Sequence, residues 1–129
     1  MRKIKFRGLS SGKKEWIYGW YVADNTTDYA WIINYGGLVF TGEENRIEVI
    51  KETVGQFTGL LDKNSKEIFD GDIDSRGLIV EYLVNMSGYY LLNSNKEGYH
   101  LCHEQNVLGG KIKHIEIIGN LYETPELLK

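Results

Sequence analysis

Four acidic positions near the middle of the chain have the spacing of a cation loop. Asp70, Asp72 and Asp74, followed by Glu81, stand at positions one, three, five and twelve of an EF-hand-like arrangement, where carboxylate oxygens surround a hard cation such as calcium. The match stops there. Ser75 stands where the sharp turn needs glycine, Gly77 replaces the usual apolar residue, and no helical pattern flanks the loop, so a solvated acidic turn entering a strand is the preferred reading. The soft ligands are His100, Cys102, His103 and His114, of which His100 and Cys102 fall on one face of a strand. Their spacing fits no zinc pattern, and isolated His and Cys on strands are more often packed or surface residues. No metal and no cofactor are expected.

Nucleophilic catalysis has no visible apparatus either. Ser10 stands in a Gly8-Leu9-Ser10-Ser11-Gly12 string, but a Lys13-Lys14 turn and a strand pattern follow it where a nucleophile elbow needs a helix. No Cys has a recognisable spacing, and no Gly-rich loop ends in a phosphate-binding Lys. The expected role is therefore non-enzymatic. What remains is a basic and aromatic constellation: Lys3, Lys5 and Arg7 form a stripe on one strand, beside a strand carrying Trp16, Tyr18 and Trp20. Cations next to stacking rings are what single-stranded nucleic acids bind, and the same surface could take a protein partner. A solvated basic strand over an aromatic core is the plainer reading, because each ring buries on the order of 150–250 Å² and a small β-domain needs such area.

These residues have to be positioned by strands. The chain has 129 residues, 42% hydrophobic and 26% charged, which excludes disorder, collagen-like repeats and coiled coil. Nine Tyr, three Trp and fifteen Gly with one Pro favour strands joined by tight turns. Alternation predicts strands from Lys3 to Leu9, Trp16 to Ala23, Tyr29 to Asn34 and Arg46 to Lys51, with Leu38 to Phe40 a further apolar piece. Beyond a loose boundary near Lys51 to Thr53, strands are predicted from Leu78 to Val84, Tyr89 to Leu92, Tyr99 to His103 and Lys111 to about Tyr122. Thr124-Pro125 licenses one helical turn at the end. A lone Cys and the lack of any apolar stretch long enough for a signal peptide or membrane helix place the protein in the cytoplasm.

Charge is distributed unevenly under the formal total of −3. Residues 1–14 hold six basic groups and no acid, whereas Asp62 to Asp74 holds five acids against Lys63 and Lys66, so the two stretches could pair within one molecule or between copies.

Two strings are familiar. TVGQFTGLLDKNSKEIFDGDI, Thr53 to Ile73, and IEIIGNLYETPELL, Ile115 to Leu128, resemble the signature of the YopX family, small proteins encoded by bacteriophages and prophages. Ile4-Lys5-Phe6-Arg7 and Trp16-Ile17-Tyr18-Gly19 fit that family's usual start, while 24–46 and 76–114 carry no recognisable motif. The resemblance implies an all-β protein whose C-terminal part is an SH3-like roll, and a phage or prophage origin; it implies no activity. Read from the residues alone, these segments are structural, with Asp62-Lys63-Asn64-Ser65 as a hairpin tip and Gly71-Asp72 as a turn. The expectation is an all-β protein of two small packed β-barrel or roll units, residues 1–52 and 53–129, the second SH3-like and ending in a helical turn. It is expected to bind a protein partner or a second copy of itself, with single-stranded nucleic acid as the alternative, and no membrane or small-molecule cofactor.

Overall fold

A computed structural model of the chain describes residues 4–23, 26–34, 46–101, 107–108 and 110–129. The protein is all-β, and the chain divides into two compact units, Met1–Phe57 and Thr58–Lys129. The first holds β1 (Phe6–Leu9), β2 (Trp16–Ala23), β3 (Ala30–Asn34), β4 (Arg46–Val49) and the start of β5 (Gly55–Leu61). The second holds the end of β5, then β6 (Glu67–Phe69), β7 (Asp72–Asp74), β8 (Ile79–Leu83), β9 (Gly88–Leu92), β10 (Gly98–His100), β11 (Val107–Leu108), β12 (Lys111–Ile112) and β13 (Ile117–Asn120). Helical structure among the described residues is confined to three-residue 3-10 turns such as Lys51–Thr53, Val84–Met86 and Pro125–Leu127. Leu38 to Phe40 lies outside the described residues.

In the first unit β5, β1, β2, β3 and β4 are neighbours in that order, all antiparallel. Alternate residues turn Phe6, Ile17, Tyr21, Ala30, Ile32, Val49 and Val54 into one apolar cluster. The sheet curls until β4 meets the end of β1: Ser10 bridges Val49, and the Ile50 N–H donates to the Leu9 carbonyl at 2.8 Å. Gly8 permits this approach, since a Cβ there would stand 3.0 Å from the Val49 Cβ. The Leu9 N–H donates to the Thr53 hydroxyl at 2.9 Å, and that hydroxyl donates to the Ile50 carbonyl, which ties the end of β1 to the following turn.

In the second unit β10, β9, β8, β7 and β13 form a five-stranded antiparallel sheet. It is covered on both faces. Val80 and Leu91 join Ile68, Leu101, Ile112, Ile115 and Ile117 on one side, while Ile73, Ile79 and Leu92 on the other meet Leu127 and Leu128 from the C-terminal turn. No closed barrel is found among the described residues. The single strand predicted from Lys111 to Tyr122 is broken into β12 and β13 by a turn at Lys113 and His114.

Asp62 explains the break. Its side chain is 1% exposed, and its Oδ1 accepts the N–H groups of Asn64 and Lys66 while Oδ2 accepts that of Ile117, 55 residues away, at 2.9 Å. One carboxylate thus builds the β5–β6 hairpin tip and anchors the start of β13. The backbone reinforces it, with the Lys63 N–H donating to the Ile115 carbonyl at 2.8 Å.

Removing that acceptor strands the buried Ile117 N–H away from water, at a cost of roughly 1–3 kcal/mol, and also undoes the two bonds that shape the hairpin tip. Asp62→Ala is expected to lower the unfolding free energy by about 3 kcal/mol in urea titration, comparable to losing one buried Ile. Lys66→Ala, at an exposed position whose backbone alone serves the turn, should stay within about 0.5 kcal/mol of the parent.

Candidate functional site: an aromatic and cationic sheet face

The register of the N-terminal sheet decides where the basic and aromatic residues lie. β1 pairs with β2 so that Arg7 stands opposite Tyr18 and Leu9 opposite Trp16. Residues directly opposite share a face, so Lys5 and Arg7 lie on the same side as Trp16, Tyr18, Trp20 and Val22, away from the apolar cluster. β3 extends this face by pairing Ile33 with Trp20 and Trp31 with Val22, and β4 extends it again by pairing Arg46 with Ile33 and Glu48 with Trp31. A basic strand over an aromatic core is therefore not what forms. The core beneath is aliphatic with Phe6 and Tyr21, and the rings and cations lie together on the outer side.

Much of this face is open. Trp20 is 49% exposed and Tyr29 56%, and Tyr18 is also exposed, while Trp16 and Trp31 are half-buried. The cations sit over rings: the Arg7 guanidinium 4.3 Å from the Trp16 centroid, Arg46 4.9 Å from Trp31, and the Lys5 ammonium 5.5 Å from Tyr18. Tyr29 stacks beside Trp31 at 6.2 Å. Arg7 differs from the solvated residue expected, being 4% exposed, so it props Trp16 from beneath and offers little to a ligand. Lys3 lies outside the described residues. Tyr29, Trp31 and Arg46 were not anticipated as members of the site, because their face follows from the β2–β3 register and not from alternation within either strand.

Residues 5–129 match the family described as YopX protein. The chain belongs to the YopX family. No curated protein matches it. In this YopX-family chain the signature segments serve the backbone. Besides Asp62, the Thr58 hydroxyl donates to the Ile68 carbonyl, Asp72 accepts the Phe69 N–H, and Asn120 Oδ1 accepts the N–H groups of Tyr122 and Glu123. Gly71, at φ +95°, turns the chain where a Cβ would press 3.1 Å from the Tyr122 ring.

The acidic loop is not a solvated turn. Asp72 and Asp74 are 1% exposed or less, and Asp74 Oδ1 accepts the N–H groups of Arg76 and Leu78. Its Oδ2 takes two hydrogen bonds from the Arg76 guanidinium, at 3.0 and 2.9 Å. Partial burial works against the Arg76 charge, but the Asp74 bonds and field, with Tyr99 adding to them, outweigh it and hold the guanidinium above its ordinary pKa. Burial also takes Asp62, Asp72 and Asp74 out of any charged contact between copies, leaving Glu67 and Asp70 of the five acids in that stretch. No group of three potential metal ligands occurs among the described residues. His100 packs edge-on against Tyr90 at 5.1 Å and His114 is exposed, while Cys102 and His103 lie outside the described residues. A cleft of about 340 Å³ between β8 and the C-terminal turn is lined by Asp70, Glu81, Lys96 and Tyr122, with Lys96 and Glu81 paired at 3.0 Å.

Two outcomes follow from these placements. Trp20→Phe should remove the tryptophan emission most readily quenched by acrylamide, with an unfolding free energy within about 0.5 kcal/mol of the parent. Millimolar calcium should leave the melting temperature unchanged, because the carboxylates of Asp72 and Asp74 are already bonded to the chain; a rise of several degrees would show a cation site.

Proposed function

We propose that this protein is a non-enzymatic accessory protein of phage or prophage origin, working in the bacterial cytoplasm by binding another macromolecule through the outer face of its N-terminal sheet. The supporting observation is the exposure of Tyr18, Trp20 and Tyr29 on one strand face shared with Lys5 and Arg46. Exposed rings set among cations cost solubility unless something covers them. Trp, Tyr and Arg are also the residues that dominate binding energy at interfaces. The Thr58–Lys129 unit, which we take as the SH3-like roll, has its signature side chains engaged in turns, and this favours a supporting role for it. Self-association through opposite charges is weakened as a reading by the burial of Asp62, Asp72 and Asp74. No helix among the described residues is long and apolar enough to cross a membrane.

The test compares affinity capture from host lysate by the parent chain and by a Tyr18→Ala, Trp20→Ala double variant, with eluates read for protein and for nucleic acid. The parent is expected to retain a macromolecule that the double variant loses, whereas Tyr82→Ala, an exposed ring in the other unit, retains it. Equal capture by all three would refute the assignment of this face.

A further inference from the structure

Resting on that reading of the face, we infer that its occupant is a single-stranded nucleic acid, bound with little sequence preference. Three features converge on this class. First, cations and rings alternate within a few ångströms: Lys5 lies 5.5 Å from Tyr18 and Arg46 lies 4.9 Å from Trp31. A nucleotide presents a phosphate and a flat base in the same close alternation. Second, Tyr18 and Trp20 are two residues apart on β2, about 6.8 Å along the strand, so successive rings form a row of platforms on which unpaired bases can stack. A duplex hides those base faces and offers the row nothing but its backbone.

Third, the charge is segregated. The chain is acidic overall, yet residues 1–57 hold eight basic against seven acidic groups while 58–129 hold seven against eleven. Among the described residues of this face, Lys5 just before β1, Arg7 and Arg46 are opposed on the strands by Glu48. An anionic ligand is matched by the cations of this face. Arg7 is buried beneath Trp16, so the contacts to phosphate come from Lys5 and Arg46. Two such contacts make binding modest and give a slope of log affinity against log salt of about −1.4.

The experiment is a fluorescence-anisotropy titration of the full chain against a fluorescein-labelled oligothymidylate about a dozen nucleotides long, at low salt. Saturable binding is expected below tens of micromolar protein, weakened about tenfold by Trp20→Ala and several-fold by Arg46→Ala, with a shallow salt slope. An unlabelled duplex and inorganic polyphosphate should compete poorly, because neither offers free bases. Circular dichroism of both variants reports whether they remain folded, and both substitutions lie at exposed positions. No anisotropy change at tens of micromolar protein overturns the inference. If the Tyr18, Trp20 double variant then still differs from the parent in lysate capture, the face stands and its occupant is a protein. Oligonucleotide binding that survives both substitutions, or that polyphosphate abolishes at equal phosphate, also overturns it.

Discussion

Short strands leave peptide N–H groups that no neighbouring strand accepts, and in the interior each must find an oxygen or cost the fold its desolvation energy. The Thr58–Lys129 unit solves this with buried carboxylates. Asp62 accepts three such groups, Asp72 accepts that of Phe69, and Asp74 accepts two while holding Arg76. Charged acceptors form stronger bonds to peptide N–H than neutral ones do, so a few aspartates replace what longer strands would otherwise supply. The hairpin tip, the β6–β7 turn and the entry to β8 all depend on them.

That solution has a functional corollary. An acidic segment that is dense in sequence becomes poor in available charge once folded, because its carboxylates face inward. The run from Asp62 to Asp74 therefore contributes architecture, and the exposed rings with cations beside them lie on the other unit. There the division of labour runs the opposite way. Aliphatic side chains on one face of β1 to β4, with Phe6 and Tyr21, suffice for a core, which leaves three tryptophans and two tyrosines on the outer face with Lys5, Arg7 and Arg46 among them. Arg7 is buried against Trp16, and Trp20 and Tyr29 are the open rings of this face.

The strand pattern was legible wherever alternation was strong: Trp16 to Ala23 forms β2 without change, and β3, β4, β8 and β9 lie within a residue or two of their predicted spans. The stretch from Lys111 to Tyr122 was misread as one strand because nothing local to it signals that Asp62 will seize the Ile117 N–H from 55 positions away. The acidic loop was misread as solvated for a related reason. Asp-rich turns look alike in sequence whether their oxygens meet water or backbone.

Composition and alternation were enough to indicate an all-β chain, since strand content resides in residue types and short-range periodicity. The signature segments carried the resemblance to the YopX family that the match over residues 5–129 shows. Which face of β2 is open was not contained in the sequence. A strand such as Trp16 to Ala23 is amphipathic in neither sense, and only the pairing of Arg7 with Tyr18 and of Val22 with Trp31, together with burial of Ala30, Ile32 and Val49 on the reverse, assigns the rings to solvent. Register is a property of two strands at once, and a shift of one residue would have turned every one of those side chains into the core.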